Sequence, residues 1–167
     1  MPVVATPHDK LRETLAETVV HGLREAGFGN ARVEKHHWSE FRDRVTTGEN
    51  STYDMYVGSW AGFADPDTFL YPLFHESMVG VTNGTFYPEE SVSTHLEEAR
   101  RTTDRAERRR HYERAIETLL EGRAVLPAFT LDNSFGVADQ VEGFDPHPLS
   151  AENPRLVDPD GTASLRE

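Results

Sequence analysis

The chain has 167 residues and no cysteine, and its 29 acidic residues outnumber 17 basic ones, for a formal net charge of −12. This balance argues against nucleic-acid binding, which needs clustered Lys and Arg. The lack of cysteine excludes disulfides, thiolate catalysis and cysteine-bound metals. No apolar run approaches the roughly 20 residues of a membrane span, so we predict no direct membrane span.

The basic residues are almost all arginine, with Lys10 and Lys35 as the only lysines. An acidic, lysine-poor surface suits a protein that stays hydrated at high salt, which indicates a halophilic source. A GC-rich genome would favour arginine equally well, so both interpretations stay open. Residues 1–10 lack a basic segment followed by an apolar core, so we predict no signal peptide in this chain.

Helix and strand patterns alternate in the first half of the chain. Residues 6–9 are predicted to begin a first helix, which ends at Gly27. Residues 31–36 alternate as a strand, and a second helix is predicted to end near Gly48. The inward residues predicted for that second helix are Trp38, Phe41 and Val45. This alternation favours an α/β fold with helices packed on a sheet.

The stretch 53–74 combines a strand, a Trp-Gly loop and a helix start. Tyr53 begins the alternation of a half-buried strand that extends to Gly58. Asp65 is predicted to cap the following helix, with Asp67 in its first turn. The predicted buried face of this helix consists of Phe69, Leu70, Leu73 and Phe74. The irregular segment that follows, 75–89, is either a surface excursion or part of a ligand wall.

Two further helices are predicted over 89–101 and from a capping box at Asp104 to Gly122. Their predicted inward residues are Val92, Leu96, Ala99, Tyr112, Ala115, Ile116, Leu119 and Leu120. The arginines at 105 and 108–110 alternate with glutamates and indicate a solvated, ion-paired face. Strands are predicted over 124–130 and 135–138, and a turn over 141–144. We expect one domain over 1–148 and a polar, disordered tail over 149–167.

Three motifs follow one another along the chain from residue 58 to residue 148. Residues 58–74 contain Gly-x-Trp, then Asp-Pro-Asp-x-Phe-Leu and Pro-Leu-Phe. Residues 83–116 contain an Asn, an aromatic turn, Leu-x-x-Ala-Arg, Asp-x-x-Glu-Arg, a Tyr and Ala-Ile. Residues 126–148 contain Leu-Pro and Val-x-Gly-Phe-x-x-His-Pro. This run resembles the C-terminal portion of the extracellular solute-binding proteins of peptide- and nickel-type ABC transporters, the dipeptide- and oligopeptide-binding family.

The resemblance implies the C-terminal lobe region of a two-lobed, type II periplasmic-binding-protein-like fold, incomplete without the first lobe. It implies a non-enzymatic part of a receptor for a small peptide or similar solute, which delivers its ligand to ABC-transporter permease subunits. The implied location is the extracellular or periplasmic face of the cell envelope. Family members are about three times longer, so we expect a fragment that does not bind alone. The alternatives are a small intracellular α/β hydrolase or metal-dependent enzyme, and an acidic interaction domain.

The resemblance places ligand contacts in the loop of Trp60, Ala61, Gly62 and Phe63. Trp60 and Phe63 either line the pocket or pack in the core. In peptide-binding members an Asp shortly after the Trp pairs the ligand's amine, since a buried ammonium needs a counter-charge. Phe63 stands at that point here, which argues for a departure from ordinary peptides.

The eight histidines predict no metal site. His36 and His37 are neighbours on a strand and face opposite sides, while His75, His95 and His111 belong to different elements. His147 is predicted to pack in the turn before Pro148. No phosphate-binding glycine loop or nucleophile elbow is present in the sequence, so we predict no cofactor and no catalytic residue.

Overall fold

The computed structural model describes residues 3–47, 52–130, 134–142 and 164–165. The predicted helix end near Gly48, the turn residues 143–144 and His147 lie outside these ranges. Among the described residues, none of the helices has the length and apolar character needed to cross a membrane.

Two compact units make up the chain. The first consists of residues 1–61 and 65–126, and the second of residues 62–64 and 127–167. The predicted boundary at residue 148 therefore falls inside the second unit, and the domain division of the sequence analysis stays a prediction.

A three-stranded parallel sheet forms the start of the first unit. Its strands are β1 (Val3–Pro7), β2 (Arg32–His36) and β3 (Met55–Tyr56), in the order β2-β1-β3. All five residues of the central strand β1 are buried, as expected of a parallel strand covered on both faces. The predicted strand over 53–58 is thus shortened to the two residues that pair with β1.

The prediction that residues 6–9 begin the first helix was wrong, because Thr6 and Pro7 end β1. Helix α1 runs from Lys10–Glu25, and its N-cap is Asp9, whose carboxylate accepts a hydrogen bond from the backbone N–H of Arg12 at 3.0 Å. Asp is a favoured capping residue because its side chain satisfies an otherwise unpaired N–H of the first turn.

Helices α1 and α2 (Trp38–Thr47) contribute apolar residues to two small cores around the sheet. These cores contain Val4, Ala16, Val20, Ala31 and Val57 in one cluster, and Ala5, Phe41 and Val45 in the other. Trp38 was predicted to face inward, but it is 61% exposed and its ring stacks on that of Phe41, with centroids 5.9 Å apart. Trp38 is the first residue of α2, so it lies at the N-terminal end of the apolar stripe that Phe41 and Val45 continue.

A third core in this unit, the helical core, is formed by α3 (Asp67–Phe74), α4 (Glu90–Arg101) and α5 (Arg105–Glu121). Its buried residues are Val92, Leu96, Ala99, Tyr112, Ala115 and Leu119. These six inward predictions agree with the structure, whereas Ile116 and Leu120 are exposed. The short helix α3 has no fully buried residue; Leu70, Tyr71 and Phe74 pack partly against the core, and Phe69 is exposed.

The described residues of 124–130 and 135–138 form no strand, so both strand predictions were wrong. Pro127 cannot donate to a strand ladder, and Leu126 and Phe129 are exposed, so the first run has no buried face to hold it in a sheet. In the second unit, β4 (Val141–Glu142) pairs antiparallel with β5 (Ser164–Leu165). The expected disordered tail therefore contains at least this paired segment.

Tyr53 links α2 to the segment before α4. Its hydroxyl contacts the carbonyl oxygens of Val45 at 3.0 Å and Gly84 at 3.1 Å. Burial, reinforced by the nearby Tyr56, raises the pKa of Tyr53 to about 12. The phenol therefore keeps its proton, and its ability to donate, across the physiological range.

Candidate functional site

The loop after β3 carries the four residues assigned to ligand contact from sequence. Trp60 is 39% exposed, and its indole N–H donates to the carbonyl oxygen of Thr68 at 2.8 Å. The polar end of the indole is therefore anchored at the start of α3 while part of the ring remains accessible. Just before it, the hydroxyl of Ser59 contacts the guanidinium of Arg12, which ties the loop to α1.

The other three residues of the loop belong to the second unit or border it. Ala61 is exposed, Gly62 is partly buried, and Phe63 is 74% exposed. Both Trp60 and Phe63 are exposed in the structure, so neither side chain packs in the core, which was the alternative interpretation. Their contact with a ligand stays a prediction.

The helix α3 begins at Asp67, with Pro66 rather than the predicted Asp65 at the N-cap position and no side-chain cap from Pro66. The carboxylate of Asp65 nevertheless supports the first turn from one residue further back. One carboxylate oxygen of Asp65 accepts a hydrogen bond from the backbone N–H of Asp67 at 2.9 Å. Asp65 also receives two hydrogen bonds from the guanidinium of Arg108, at 2.8 and 2.9 Å. Such a bidentate contact is the strongest geometry for an Arg–carboxylate pair.

This pairing changes the electrostatics of Asp65. The hydrogen bonds from Arg108 are the main cause of the lowered pKa of the Asp65 carboxyl, and the backbone N–H of Asp67 adds to it, while partial burial opposes it. Arg108 also donates to the hydroxyl of Tyr112 at 2.9 Å and to the carbonyl of Ala99 at 3.1 Å. Asp65 is thus a neutralised, structural carboxylate rather than a free charge.

Asp67 is paired with a second arginine, through one nitrogen only. The Nε atom of Arg100 lies 3.0 Å from Oδ1 of Asp67 and 3.1 Å from its Oδ2, and the Tyr112 hydroxyl lies 3.4 Å from the same Oδ1. The two carboxylates closest in sequence to the Trp60 loop are therefore both engaged by arginines. Neither is left to pair the amine of a ligand.

Sequence reasoning missed these two cross-helix pairs. It assigned Arg108 to a solvated face, which fits Arg109 and Arg114, since they pair with Glu113 and Glu117 on their own helix. Arg108 differs because it reaches Asp65, which lies just before α3 and 43 residues away along the chain. The family motif already contained the signal, since both Asp65 and Arg108 belong to the matched patterns.

Replacing Arg108 by Gln should raise the pKa of Asp65 toward its ordinary value, because the main cause of the lowered pKa is removed. NMR titration of the side-chain carboxyl measures this directly. Stability contributed by this carboxylate is present above its unfolded pKa and is lost as pH falls through its folded pKa. The free energy of unfolding of the variant should therefore fall less steeply as the pH is lowered. Arg109→Gln is the control, because it breaks only the exposed pair with Glu113. It should leave the pKa of Asp65 unchanged.

A buried histidine supports the segment that follows α3. His75 is 3% exposed, and its Nδ1 accepts the backbone N–H of Ser77 at 3.0 Å. The ring of Tyr71 stacks on that of His75 with centroids 4.1 Å apart, and the Arg100 guanidinium lies over the Tyr71 ring, 3.5 Å from its centroid. The free ring nitrogen, Nε2, faces the carboxylate of Glu97 at 3.4 Å. These contacts are those of a packing residue.

Two histidines that belong to different helices, as predicted, lie close together. His95 of α4 and His111 of α5 approach with their Nδ1 atoms 3.3 Å apart. Partial burial, followed by the charges of His111 and Arg114, lowers the pKa of His95. Within the part of the chain that the structure describes, no group of three or more His, Cys, Asp or Glu is placed to hold a metal ion.

Comparisons with known proteins define the class. The match in sequence is to binding proteins: the chain is 31% identical over 120 residues to the probable D,D-dipeptide-binding periplasmic protein DdpA of Escherichia coli, covering 71% of this chain and 23% of the relative. In structure it is similar to the ABC transporter-associated periplasmic binding protein DppA of Helicobacter pylori in complex with the peptide STSA, with a TM-score of 0.63, 27% identity, and coverage of 74% of this chain and 24% of the other.

A third comparison extends the fold match to nearly the whole chain. The murein tripeptide binding protein MppA of Escherichia coli matches with a TM-score of 0.70 and 17% identity, covering 99% of this chain and 31% of that protein. No family model matches the sequence. The predicted resemblance is confirmed: the chain is similar to a portion of the peptide- and nickel-type ABC solute-binding proteins, and it spans about a quarter of the length of the curated relatives it matches.

Proposed function

We propose that the chain supplies the C-terminal lobe portion of a substrate-binding protein for ABC-transporter uptake of peptides or a similar small solute. The single observation that carries this proposal is the 31% identity over 120 residues to a dipeptide-binding periplasmic protein. The role is binding rather than catalysis, because the matched proteins are binding proteins. The hydrolase alternative has no support among these matches.

The proposed place of action is the outer face of the cell envelope, where the whole receptor would hand its solute to permease subunits. Binding in such a receptor is expected to proceed by closure of two lobes, with the ligand favouring the closed state. The matched relatives are about four times longer than their aligned portion. We therefore propose that the remaining wall of the pocket comes from regions corresponding to the rest of those proteins.

We assign ligand contact in this chain to the loop of Trp60, Ala61, Gly62 and Phe63. An aromatic ring that is fixed at one end and accessible at the other, as Trp60 is, offers apolar area at little cost in side-chain entropy. Phe63 adds a second accessible ring.

The chemistry of the loop restricts the class of solute. Phe63 stands where the family resemblance implies an amine-pairing Asp, and Asp65 and Asp67 are already paired with Arg108 and Arg100. An ammonium group removed from water needs a counter-charge. We therefore propose a solute whose end at this loop is uncharged, such as a peptide with a blocked amine.

A chimera tests the proposal in a complete receptor. The Helicobacter pylori protein was solved in complex with the peptide STSA. In the chimera, the segment of that protein that matches this chain is replaced by the corresponding residues of this chain. Calorimetric titration is done with STSA and with its N-acetylated form, so that loss of the amine contact does not by itself abolish binding. We expect the acetylated peptide to bind at least as tightly as the free one.

The role of Trp60 is tested in the same chimera. Trp60→Ala should weaken binding by about tenfold or more, since truncating a buried aromatic anchor costs on the order of 2 kcal/mol. Trp38→Ala is the matched control, because Trp38 lies on α2 and packs on Phe41, and should bind as the unaltered chimera does. Equal affinities for the Trp60 variant and the unaltered chimera would refute the assignment.

A further inference from the structure

The neighbouring helices α4 and α5 present two imidazole rings to each other on a rigid base. His95 directly precedes Leu96, and His111 directly precedes Tyr112; Leu96 and Tyr112 are both buried in the core between these helices. The positions of the two backbones are therefore fixed by packing. The rings themselves are partly exposed, with centroids 5.5 Å apart and planes inclined by 45°.

The separation of the facing nitrogens is that of a chelating pair. The two Nδ1 atoms lie 3.3 Å apart. Two nitrogens bound at about 2.0–2.1 Å to one tetrahedral ion are separated by about 3.3–3.4 Å. The pair therefore needs little movement, beyond rotation of the rings, to share one ion.

We propose that His95 and His111 form a two-histidine binding site for a divalent transition metal such as Zn²⁺, with water completing the coordination sphere. Imidazole nitrogen is a preferred ligand of Zn²⁺, Ni²⁺ and Cu²⁺. The site lies within the first unit and is independent of the Trp60 loop and of the function proposed for it. Sequence reasoning predicted no metal site because the two histidines lie on separate helices, 16 residues apart.

The surrounding charges permit a cation at this site. Arg114 is the nearby positive charge that acts on His95, and its guanidinium is paired with Glu117 at 2.9 Å, which offsets part of its repulsion. The net charge of −12 over the whole chain favours the approach of cations in general.

Without metal, the same geometry forms an ordinary hydrogen bond, in which one neutral ring donates its N–H to the other. A bound ion takes the place of that shared proton. The two roles differ in what they predict: a hydrogen bond alone stabilises the helix pair but gives no response to metal, whereas a chelating pair makes the melting temperature depend on metal concentration.

The test uses the full chain, stripped of metal with EDTA and then dialysed. Zn²⁺ is titrated calorimetrically at pH 7.5, where an imidazole of ordinary pKa is neutral, and melting is followed with and without Zn²⁺. We expect one ion to bind at the pair and to raise the melting temperature. His95→Gln and His111→Gln should each weaken this binding by about tenfold or more, because each leaves a single ligand in place of a chelate.

His21→Gln is the control, since His21 lies on α1 and contacts only Glu25 of its own helix among the ion pairs described; it should bind Zn²⁺ as the unaltered chain does. Circular dichroism and melting in EDTA establish that each variant is folded. The proposal is overturned if the unaltered chain gives no heat and no thermal shift with Zn²⁺, or if folded His95 and His111 variants bind Zn²⁺ as tightly as the control.

Discussion

Replacing Leu96 by Ala should lower the free energy of unfolding by about 2–5 kcal/mol, the cost of lost apolar burial plus the cavity left behind. Leu96 is 0% exposed and lies in the core shared by α3, α4 and α5. Urea denaturation followed by circular dichroism measures the change. We expect the midpoint to fall with little change in the slope of the transition.

Leu120→Ala provides the matched control for this prediction. It removes the same atoms from the neighbouring helix α5, but Leu120 is 44% exposed, so the expected change is within about 0.5–1 kcal/mol. Similar losses for Leu96 and Leu120 would show that the helical core is not packed as described.

Replacing Gly84 by Ala should also destabilise the chain, by about 1–3 kcal/mol or more, because the site is already full. A Cβ atom here would lie 2.3 Å from the Val45 Cγ1 and 2.6 Å from the Val45 carbonyl oxygen. The side-chain contact can be relieved by rotation, but the backbone contact cannot. Any shift would also disturb the hydroxyl of Tyr53, which contacts both Val45 and Gly84.

Gly29→Ala is the control for this effect, since a Cβ atom there meets no other atom within 4 Å. A Gly-to-Ala change at an unstrained site leaves stability unchanged or raises it by up to about 1 kcal/mol, through the unfolded chain. Thermal unfolding of the two variants separates the cases. A Gly84 variant that melts at the same temperature as the Gly29 variant would contradict the close approach of α2 to this segment.

The helices of the helical core could be predicted from sequence because their signals are local. The apolar residues of α4 recur at helical spacing, and Asp104 caps α5 through the N–H of Glu107 at 2.7 Å, as its capping-box pattern indicates. The overall α/β class followed from the same kind of pattern. Leu120 shows the limit of this signal. The spacing of apolar residues predicts which side of a helix faces the core, but not how many residues on that side are buried.

Strand β1 could not be recognised by the same means. Val3–Pro7 is short and buried throughout, so it shows no alternation, and its two partners are distant in sequence. Conversely, the apolar run at 124–130 has a strand-like composition without a strand to pair with. Pairing in a parallel sheet is a non-local property, and periodicity alone does not reveal it.

The candidate sites show the same difference between local and non-local signals. Ligand contact of the Trp60 loop was predicted from a contiguous motif, and it stays a prediction. The neutralisation of Asp65 by Arg108 and the meeting of His95 with His111 depend on the packing of α5 against α3 and α4. Neither arrangement has a signal within one element, and only the tertiary structure brings these groups together.

The most direct test of the proposed function is a crystal structure of the receptor chimera with the acetylated peptide bound. We predict that the ring of Trp60 contacts the peptide, with heavy atoms within about 4.5 Å, and that Asp65 remains paired with Arg108. A bound peptide that lies away from Trp60 and Phe63, or that draws Asp65 from Arg108 to pair with the ligand, would contradict the account.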